Sequence, residues 1–509
     1  MNPQGFLDLF TARSQREPEA LFARFNGAPI TLGELGRSAD AFAASLRCRG
    51  IRRGNRVAVM MRNSPAALAA IFGLARASAV WVPINAQLRG PGLGYVLDQC
   101  DPALVIADAE LLPTIAQSGA RLDPAKLATT EEIETWFTVR AMFEEPQPAP
   151  EECLAIFYTS GTTGPPKGVM LSHAMLRFAG EAVALLATPK PDDIFLMWEP
   201  LYHIGGAQLL VLPLIRDVAL AMVDRFSATR FWRQACEYRA SHIHYLGGIL
   251  QLLLKQPPSP LDRDHGVRIA WGGGCPAEIW SPFEERFGVE IREAYGMTEA
   301  SSITTYNGGH VVGSVGRPVP WFAVSLCDAR ENPVAPGERG EIVVHPRRPG
   351  VLFGGYFRDA QATAQALRDG ALWTGDLGRF DTDGNLTFLG RISDSMRCRG
   401  ENVSAWEVER VAAAHPEVEE CAVIGVSAEI GEQDIKLFVQ PKPGTEIDRA
   451  ELSRWLGERL APYQNPRYIA LVSAFERTPS QRIAKQTLPR GTEGCWDRLF
   501  AERSNAAQP

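Results

Sequence analysis

The sequence has no excess of basic residues, no long apolar run and no closely spaced cysteine pair. Its 509 residues carry 52 lysines and arginines against 59 aspartates and glutamates, a formal net charge of −7. This balance argues against general nucleic-acid affinity, which needs clustered cations. The most apolar stretch, residues 66–84, contains an arginine and a proline, so no membrane span is expected. The first residues lack a basic segment before an apolar core, and no signal peptide is expected.

The nine cysteines are scattered along the chain and include no C-x-x-C pair. This pattern indicates reduced thiols in a cytoplasmic protein and argues against a disulfide framework or a zinc site. His242 and His244 alternate along a strand-like segment and could suggest a metal, but no third ligand lies near them in the sequence. We therefore predict that the two histidines pack on one face of a strand.

Apolar and charged residues make up 45% and 22% of the chain, which is typical of a globular protein with a substantial core. Up to about residue 312, helix-like and strand-like segments alternate, and this alternation predicts α/β structure with mainly parallel sheets. We place two α/β subdomains at about residues 1–150 and 151–312. Predicted helices cover residues 32–49 and 65–77, and predicted strands cover residues 56–61, 79–83 and 103–108.

From Gly313 onward the pattern changes to short strand-like segments separated by glycine and proline, which predicts a β-barrel-like subdomain over residues 313–392. After Gly390 and Arg391, helical and strand-like segments mix again, and the remaining residues suffice for an independent α+β domain. The chain is thus expected to have a large N-terminal domain, residues 1–392, and a small C-terminal domain, residues 393–509.

Residues 158–169 read YTSGTTGPPKGV and follow a short apolar strand. Residues 169–176 suit the start of a helix, so the segment is predicted to be a strand-to-helix loop without bulky side chains. Such a loop brings backbone N–H groups and hydroxyls close to an anion, and phosphate is the obvious candidate. The common P-loop spacing is absent, because Pro166 and Gly168 stand where a glycine and a hydroxyl residue are needed. Taken alone, the composition also fits a flexible surface turn.

Five further segments carry side chains suited to a nucleotide site: residues 200–206, 271–276, 293–299 and 373–378, and the pair Gly390-Arg391. Residues 293–299 place an aromatic ring, a hydroxyl and a carboxylate within one turn, and residues 373–378 offer a carboxylate on a tight turn. Together with the glycine-rich loop, this ordered set resembles the adenylate-forming superfamily of acyl-CoA synthetases, luciferases and peptide-synthetase adenylation domains. The resemblance covers nearly the whole chain.

The resemblance implies an enzyme that joins a carboxylate to the α-phosphate of ATP and releases pyrophosphate. Glu299 resembles the family's Mg²⁺ ligand, with Thr162 as a second candidate. Tyr295 resembles the residue that stacks on adenine, Thr298 the one that holds the α-phosphate, and Asp376 the acceptor of both ribose hydroxyls. The other residues that the resemblance assigns to ATP are Thr159, Ser160, Gly161, Thr163, Gly164 and Lys167 around the β- and γ-phosphates, Gly272, Gly273 and Gly274 against adenine, Arg391 on the ribose, and Glu293, Ala294, Gly296 and Met297 in the same motif as Tyr295.

In the family the small C-terminal domain is mobile and swings between adenylate formation and acyl transfer to the thiol of coenzyme A. The hinge here would be Ser393-Asp394, and Arg399, Gly400 and Glu401 resemble the loop that lines the pantetheine tunnel. Arg399 replaces a glycine that the family usually has. His203 resembles a residue at the wall between the acyl pocket and the thiol entrance, with a packed core histidine as the plainer alternative.

A second departure concerns a Gly-Lys pair whose lysine enters the family's active site for adenylation. Gln481 and Arg482 occupy that position here, and Lys485 follows three residues later. Two hypotheses follow: Arg482 supplies the positive charge with its wider guanidinium, or a local shift brings in Lys485.

Within the superfamily, scaffold stretches such as residues 226–234 resemble bacterial carnitine/crotonobetaine–CoA ligases. Trp198, Tyr202 and Trp271 lie beside pocket motifs, where they would form an aromatic cage for a quaternary ammonium or simply close the pocket. A bulky lining favours a short or medium acid over a long fatty chain. The expected partners are a small carboxylic acid, ATP and coenzyme A. The rival functions are a stand-alone adenylation enzyme that loads a carrier protein and a non-catalytic protein that binds ATP or acyl groups.

Overall fold

The computed structural model describes residues 4–138, 143, 145–159, 165–246, 249–275, 277–328, 330–392, 396–403, 405–428, 432–476, 483 and 485–501. The strands within these ranges form sheets of nine, six, five, four and two strands. In the same ranges, we find no helix that has both the length and the apolar character needed to cross a membrane.

The helices are α1 (Phe6–Arg16), α2 (Leu32–Cys48), α3 (Pro65–Arg76), α4 (Gly90–Cys100), α5 (Leu112–Ala116), α6 (Thr130–Trp136), α7 (His173–Ala187), α8 (Ile204–Ala207), α9 (Leu212–Ile215), α10 (Phe231–Glu237), α11 (Ile249–Leu254), α12 (Ala277–Phe287), α13 (Ala360–Ala366), α14 (Ala405–Ala413) and α15 (Arg449–Gly457). The strands are β1 (Leu21–Phe25), β2 (Ala28–Thr31), β3 (Arg56–Met60), β4 (Val80–Pro83), β5 (Leu104–Ala107), β6 (Leu127–Thr129), β7 (Cys153–Thr159), β8 (Lys167–Ser172), β9 (Asp193–Met197), β10 (Val218–Met222), β11 (His242–Leu246), β12 (Ile269–Gly273), β13 (Glu290–Tyr295), β14 (Thr305–Tyr306), β15 (Arg317–Pro318), β16 (Phe322–Cys327), β17 (Arg339–Pro346), β18 (Leu367–Arg368), β19 (Ala371–Phe380), β20 (Leu386–Arg391), β21 (Met396–Cys398), β22 (Glu401–Val403), β23 (Val418–Ser427), β24 (Gln433–Pro441), β25 (Tyr468–Leu471) and β26 (Trp496–Asp497).

The six-stranded sheet has the order β6-β5-β3-β4-β7-β8, and β3 to β6 run parallel. Every residue of β4 and β5 is buried, as expected for parallel strands covered on both faces. Helix α3 starts where predicted, because the Ser64 hydroxyl accepts from the Ala67 amide and Pro65 occupies the first turn. The predicted α/β character of the first half of the chain is confirmed.

The nine-stranded sheet has the order β15-β14-β13-β12-β11-β9-β10-β1-β2, parallel from β13 to β1 with antiparallel edges. Strands β1 and β2 come from the start of the chain, whereas β7 and β8 join the six-stranded sheet. The nine-stranded sheet thus includes strands from before residue 150, and the six-stranded sheet includes two strands from after it. The predicted subdomain boundary near residue 150 stays a prediction. His242 and His244 lie on β11 and are both buried, so their predicted packing on a strand is confirmed.

The glycine-rich segment differs from the prediction of a strand-to-helix loop. It joins two antiparallel strands, β7 and β8, in which Thr159 lies opposite Lys167. Val169 and Leu171 are fully buried and Met170 between them is not, which is the two-residue period of a strand. Helix α7 begins only at residue 173, so the predicted helix start is wrong for residues 169–172.

The subdomain predicted from Gly313 is a five-stranded antiparallel sheet, with the order β16-β17-β19-β18 and with β20 also paired to β19. The prediction that residues 373–378 form a tight turn is wrong, because they lie inside the ten-residue strand β19. Gly375, at φ +71°, and the register shift between β17 and β19 show that this part of β19 forms a local bulge instead of a turn.

The C-terminal domain has its own core. Strands β23 to β26 form a four-stranded sheet that packs with α14 and α15, and β21 and β22 form a hairpin beside it. Val408, Leu437, Leu456 and Ile469 are buried in a cluster made only of residues from this part of the chain. A large α/β N-terminal domain followed by a small α+β domain is therefore confirmed.

Candidate active site

The glycine-rich segment lies at the edge of the six-stranded sheet, and its two ends are described. The Thr159 hydroxyl lies 3.5 Å from the Lys167 carbonyl oxygen across the strand pair. Gly168 is required by packing, because a Cβ there would lie 2.7 Å from Ile156 Cγ2. The predicted phosphate contacts between these ends stay a prediction. The residues Ser160, Gly161, Thr162, Thr163 and Gly164 lie outside the described residues.

A tyrosine links this segment to the carboxylate predicted to bind magnesium. The Lys167 ammonium lies 5.0 Å from the centre of the Tyr356 ring, and the Tyr356 hydroxyl donates to Glu299 Oε1 at 2.9 Å. The Phe353 amide also donates to the Glu299 carbonyl oxygen at 2.9 Å, and this bond ties the chain just before Tyr356 to the turn that carries Glu299. The buried Glu299 carboxylate and the Lys167 ammonium thus both contact Tyr356, the carboxylate through the hydroxyl and the ammonium through the ring.

The residues predicted to bind adenosine converge from three strands. The Tyr295 hydroxyl at the end of β13 donates to Asp376 Oδ2 in β19 at 2.8 Å, and both residues are buried. The strand register places Asp376 opposite Arg391 in β20. The Phe388 ring stacks near Tyr295 with the ring centres 5.6 Å apart. The nine-stranded and five-stranded sheets therefore bring together residues that the resemblance assigns to adenine and ribose.

The glycines that end β12 have an architectural role of their own. A Cβ on Gly272 would lie 1.9 Å from the Tyr245 carbonyl oxygen, so packing against the neighbouring strand alone requires glycine. Glu293 holds the following turn, because its carboxylate accepts from the Gly274 amide and from the Tyr245 hydroxyl, each at 2.5 Å. Burial raises the pKa of Glu293 to about 7. Gly273 completes β12 between these contacts.

The ring, hydroxyl and carboxylate of the 293–299 motif come from a strand end and one short turn. Tyr295 ends β13, and Thr298 and Glu299 begin a single 3₁₀ turn in which both are buried. Gly296 lies so close to the chain that a Cβ would be 1.8 Å from the Ser302 carbonyl oxygen. The remaining members of the motif are Ala294 in β13 and Met297, which precedes the turn.

A contact between the two domains joins the predicted pocket wall to the predicted CoA loop. His203 Nε2, just before α8, lies 2.9 Å from Glu401 Oε1 and 2.8 Å from Oε2. The Tyr202 ring packs edge-on against the His203 ring, with the centres 4.8 Å apart. Burial and the nearby Glu401 carboxylate raise the pKa of Tyr202.

Glu401, which contacts His203, directly follows a two-residue turn. Strands β21 and β22 pair with Cys398 opposite Glu401, so Arg399 and Gly400 form the turn, at φ +53° and +81°. Two successive residues at positive φ are typical of a type I′ hairpin. The Gly400 amide donates to Glu432 Oε2 at 2.7 Å. Arg399 therefore takes the left-handed conformation without being a glycine.

The acyl-pocket candidates Trp198 and Trp271 pack on His244, with ring centres 6.2 and 4.1 Å away. The Trp198 indole N–H donates to the His244 carbonyl oxygen at 3.0 Å, and Trp271 is 1% exposed. His244 Nδ1 hydrogen-bonds to Glu199, whose Oε2 is buried and has no hydrogen-bond partner in the described part of the chain. A Cβ on Gly205 in α8 would lie 3.7 Å from His244 Cε1, so this cluster fills the space behind α8.

The structure describes only some of the residues predicted for the hinge and for the adenylation cation. Ser393, Asp394, Gln481 and Arg482 lie outside the described residues, and no side chain is described for Arg391. Lys485 forms an ion pair with Glu409 Oε1 at 2.6 Å, and Glu409 also accepts from the Val423 amide at 2.6 Å. Burial raises the pKa of Glu409, and the Lys485 charge opposes that shift. In this arrangement Lys485 contacts its own domain.

Three residues of the site escaped the sequence reasoning. Tyr356 and Phe388 lie outside the recognised motifs, and only the fold brings them to Glu299 and Tyr295. Glu199 had a readable signal, because a carboxylate directly before the 200–206 motif interrupts an otherwise apolar stretch.

Comparison with known proteins gives these residues a family. A family model described as AMP-binding enzyme matches residues 10–357, and one described as AMP-binding enzyme C-terminal domain matches residues 407–482. A crotonobetaine/carnitine–CoA ligase from Salmonella paratyphi B is 30% identical over 493 residues, which cover 92% of this chain and 94% of that protein.

Solved structures share the whole fold. The o-succinylbenzoate CoA synthetase MenE from Bacillus subtilis, as a double mutant bound with its product analogue OSB-NCoA, is 23% identical with a TM-score of 0.85, covering 96% of this chain and 99% of that one. MenE in complex with AMP, also 23% identical, covers 96% and 98% with a TM-score of 0.69. ATP-bound MatB from Rhodopseudomonas palustris is 27% identical with a TM-score of 0.69, covering 96% and 98%. By TM-score, the fold of this chain is therefore more similar to the first MenE structure than to the second. The chain belongs to the AMP-binding enzyme family, within the adenylate-forming superfamily of acyl-CoA ligases.

Proposed function

We propose that this chain is an AMP-forming acid–CoA ligase. In its first half-reaction the acid carboxylate attacks the α-phosphate of ATP and gives acyl-adenylate and pyrophosphate. In the second, the thiol of coenzyme A attacks the acyl carbon and gives acyl-CoA and AMP. The contact between His203 and Glu401 carries the proposal, because it joins the residue assigned to the acyl pocket wall with the loop assigned to the pantetheine tunnel.

The nucleotide half is supported by the Tyr295–Asp376 hydrogen bond. The Tyr295 hydroxyl already makes the contact with Asp376 that a ribose hydroxyl would make, so the carboxylate is set to accept from a sugar. The Tyr295 ring would then pack on adenine beside Gly272–Gly274, and Arg391 would donate to the same ribose. Thr298 would hold the α-phosphate, while the segment from Thr159 to Lys167 grips the β- and γ-phosphates.

Glu299 fits a magnesium ion. Its carboxylate is buried and hydrogen-bonded to Tyr356, and carboxylate oxygen is the ligand that Mg²⁺ prefers. Thr162, the second candidate ligand, lies outside the described residues. A bound Mg²⁺ would neutralise charge on the phosphates.

We infer a short or medium acid as substrate, with carnitine- and betaine-like acids as the class to test first. Trp271 and His244 fill the space behind α8, which shortens any pocket that opens there. The ligases with about 30% identity are named for crotonobetaine and carnitine. The Trp198 and Trp271 rings pack on His244, so a cage of three aromatic rings would need them to move.

Of the two candidate cations for adenylation, Lys485 must first leave Glu409, which favours Arg482.

We also propose a cytoplasmic location, because all nine cysteines are free thiols, which are kept reduced there. The partners are then the acid, ATP and coenzyme A.

The decisive experiment measures pyrophosphate release from Mg-ATP over a panel of acids, with and without coenzyme A, with products identified by mass. The panel contains carnitine, crotonobetaine, short and medium fatty acids and aryl acids. We expect turnover that needs coenzyme A and an acyl-CoA product. His203→Ala serves as the site variant, and we expect it to slow acyl transfer. His345→Ala, on the exposed part of β17, is the matched control.

Adenylate without thioester would contradict the ligase proposal and indicate loading of a carrier protein. ATP binding without pyrophosphate release from any acid would indicate a non-catalytic protein.

A further inference from the structure

The C-terminal domain docks on a short stretch of the N-terminal domain to which nothing so far assigns a role. We call residues 85–92, which connect β4 to the first turn of α4, the docking shelf. Asn85 Nδ2 in the shelf donates to the Tyr463 hydroxyl of the C-terminal domain at 3.1 Å. Arg89 and Pro91 line a small cleft together with Glu407 of α14. The shelf thus meets the C-terminal domain at Asn85 and across the cleft that Arg89 and Pro91 line.

Gly90 makes the closest of these contacts. It has φ +55°, and a Cβ on it would lie 2.4 Å from the carbonyl oxygen of Arg459 and 3.3 Å from its carbonyl carbon. Backbone atoms cannot rotate away as the end of a long side chain can, so any side chain at this position is incompatible with the docked domain. Gly92 provides the contrast, because a Cβ there would meet only Leu88 Cδ1, at an ordinary 3.8 Å.

The shelf is directly connected to the contact assigned to the thiol step. The Gln87 side chain lies beside Tyr202, whose ring packs against His203. On the other side of the interface, burial and then the neighbouring Glu401 carboxylate raise the pKa of Tyr463. The shelf and the His203–Glu401 contact therefore belong to one interface.

We propose that the docking shelf positions the C-terminal domain for acyl transfer to the thiol, and that Gly90 is the positioning residue that admits the Arg459 backbone. Adenylate formation does not depend on this contact. The kinetic consequence rests on the proposed ligase function, whereas the docking itself does not.

The test compares Gly90→Ala with the matched control Gly92→Ala and with Asn85→Ala, which removes the hydrogen bond and leaves the backbone unchanged. ATP–pyrophosphate exchange reports adenylation, and single-turnover thioester formation reports acyl transfer. Hydrogen exchange followed by mass spectrometry on peptides containing residues 459–464 reports docking without any substrate. In Gly90→Ala we expect transfer to fall about tenfold or more while exchange stays within about twofold, and peptide uptake to rise. Asn85→Ala should lower transfer by roughly threefold, and Gly92→Ala should match the wild type.

Equal losses in both half-reactions of Gly90→Ala would overturn the proposal, since Gly90 would then support only the fold of its own domain. Unchanged peptide uptake or unchanged transfer in Gly90→Ala would also overturn it. If the wild type makes no acyl-CoA, the ligase proposal fails, and the peptide uptake of the three variants still decides whether the shelf docks the domain.

Discussion

The two halves of the site are held together in different ways. Tyr295 and Asp376 belong to one domain, where the packing of two sheets and burial fix their contact. His203 and Glu401 belong to different domains, and their side chains keep 38% and 16% of their exposure. The first contact lasts as long as the fold, whereas the second lasts only while the C-terminal domain stays docked. The half that we assign to the nucleotide is therefore permanent, and the half that we assign to the thiol can be made and broken.

The largest effect should come from the permanent half. Asp376→Ala removes the carboxylate that would accept both ribose hydroxyls, and we expect the KM for ATP to rise roughly 100-fold, since charged hydrogen bonds are worth about 1.5–3 kcal/mol each. Pyrophosphate exchange at varied ATP measures the effect. Asp383→Asn, in an exposed turn beside the same sheet, is the control. A wild-type KM in Asp376→Ala would remove Asp376 from the nucleotide site.

The unfolding free energy should depend on pH through Glu407, which lies at the interface between the domains. Burial raises the pKa of Glu407 to about 7, while Gln464 Nε2 donates to its Oε2 at 2.6 Å. The folded state therefore holds a proton that the unfolded state releases above about pH 4.5. Stability should fall as the pH rises from about 4.5 to about 7, by about 1–3 kcal/mol.

Glu407→Gln cannot ionise, so its unfolding free energy should change less between pH 5 and pH 8 than that of the wild type. Denaturant unfolding at both pH values measures this difference. Parallel pH dependence in the two proteins would show that Glu407 does not titrate in this range.

The contact that can be broken should affect only the second half-reaction. Glu401→Gln weakens the interaction with His203, and we expect acyl transfer to slow about tenfold while adenylation stays within about twofold, because adenylation does not use this contact. Separate pyrophosphate-exchange and thioester assays measure the two steps. Glu419→Gln, exposed in the same domain, should leave both unchanged. Equal slowing of both steps by Glu401→Gln would mean that the two halves are not separable.

The smallest effect concerns the turn that carries Glu401. Arg399→Gly relieves a side chain at φ +53°, and we expect the C-terminal domain to gain about 0.5 kcal/mol in unfolding free energy. Arg399→Ala keeps a Cβ at the same φ and should give no gain. Denaturant unfolding compares the three proteins, and a gain in Arg399→Ala would show that strain is not the cause.

The sequence allowed good predictions wherever local chemistry decides the structure. Helix α3 was predicted because a serine cap and a proline in the first turn are local signals. Candidate nucleotide residues could be named because their motifs carry their own glycines and polar side chains, and their roles stay predictions. Two local signals were misleading. The glycines of residues 373–378 suggested a turn, but Gly375 lies in a bulge of β19, and residues 169–172 belong to a strand that only its partner β7 reveals.

The contacts between domains could not be predicted, because they join segments far apart in the chain. Nothing near Gly90 in the sequence indicates that the Arg459 backbone will lie against it. Lys485 was a candidate for the active site by position, yet its ammonium pairs with Glu409 because the fold of the small domain places this half-buried carboxylate beside it. Such contacts depend on how finished surfaces meet, and a linear pattern does not contain that information.

The sequence by itself determined the family and the domain order and supplied the candidate residues for ATP, because those follow from motifs in a fixed order. The tertiary structure alone decided which of them touch. The packing of two sheets brought Tyr295 to Asp376, side chains filled the space behind α8, and the meeting of the two domains brought Glu401 to His203. The physical reason is that motif chemistry is local, whereas each of these contacts joins surfaces that exist only after the chain has folded.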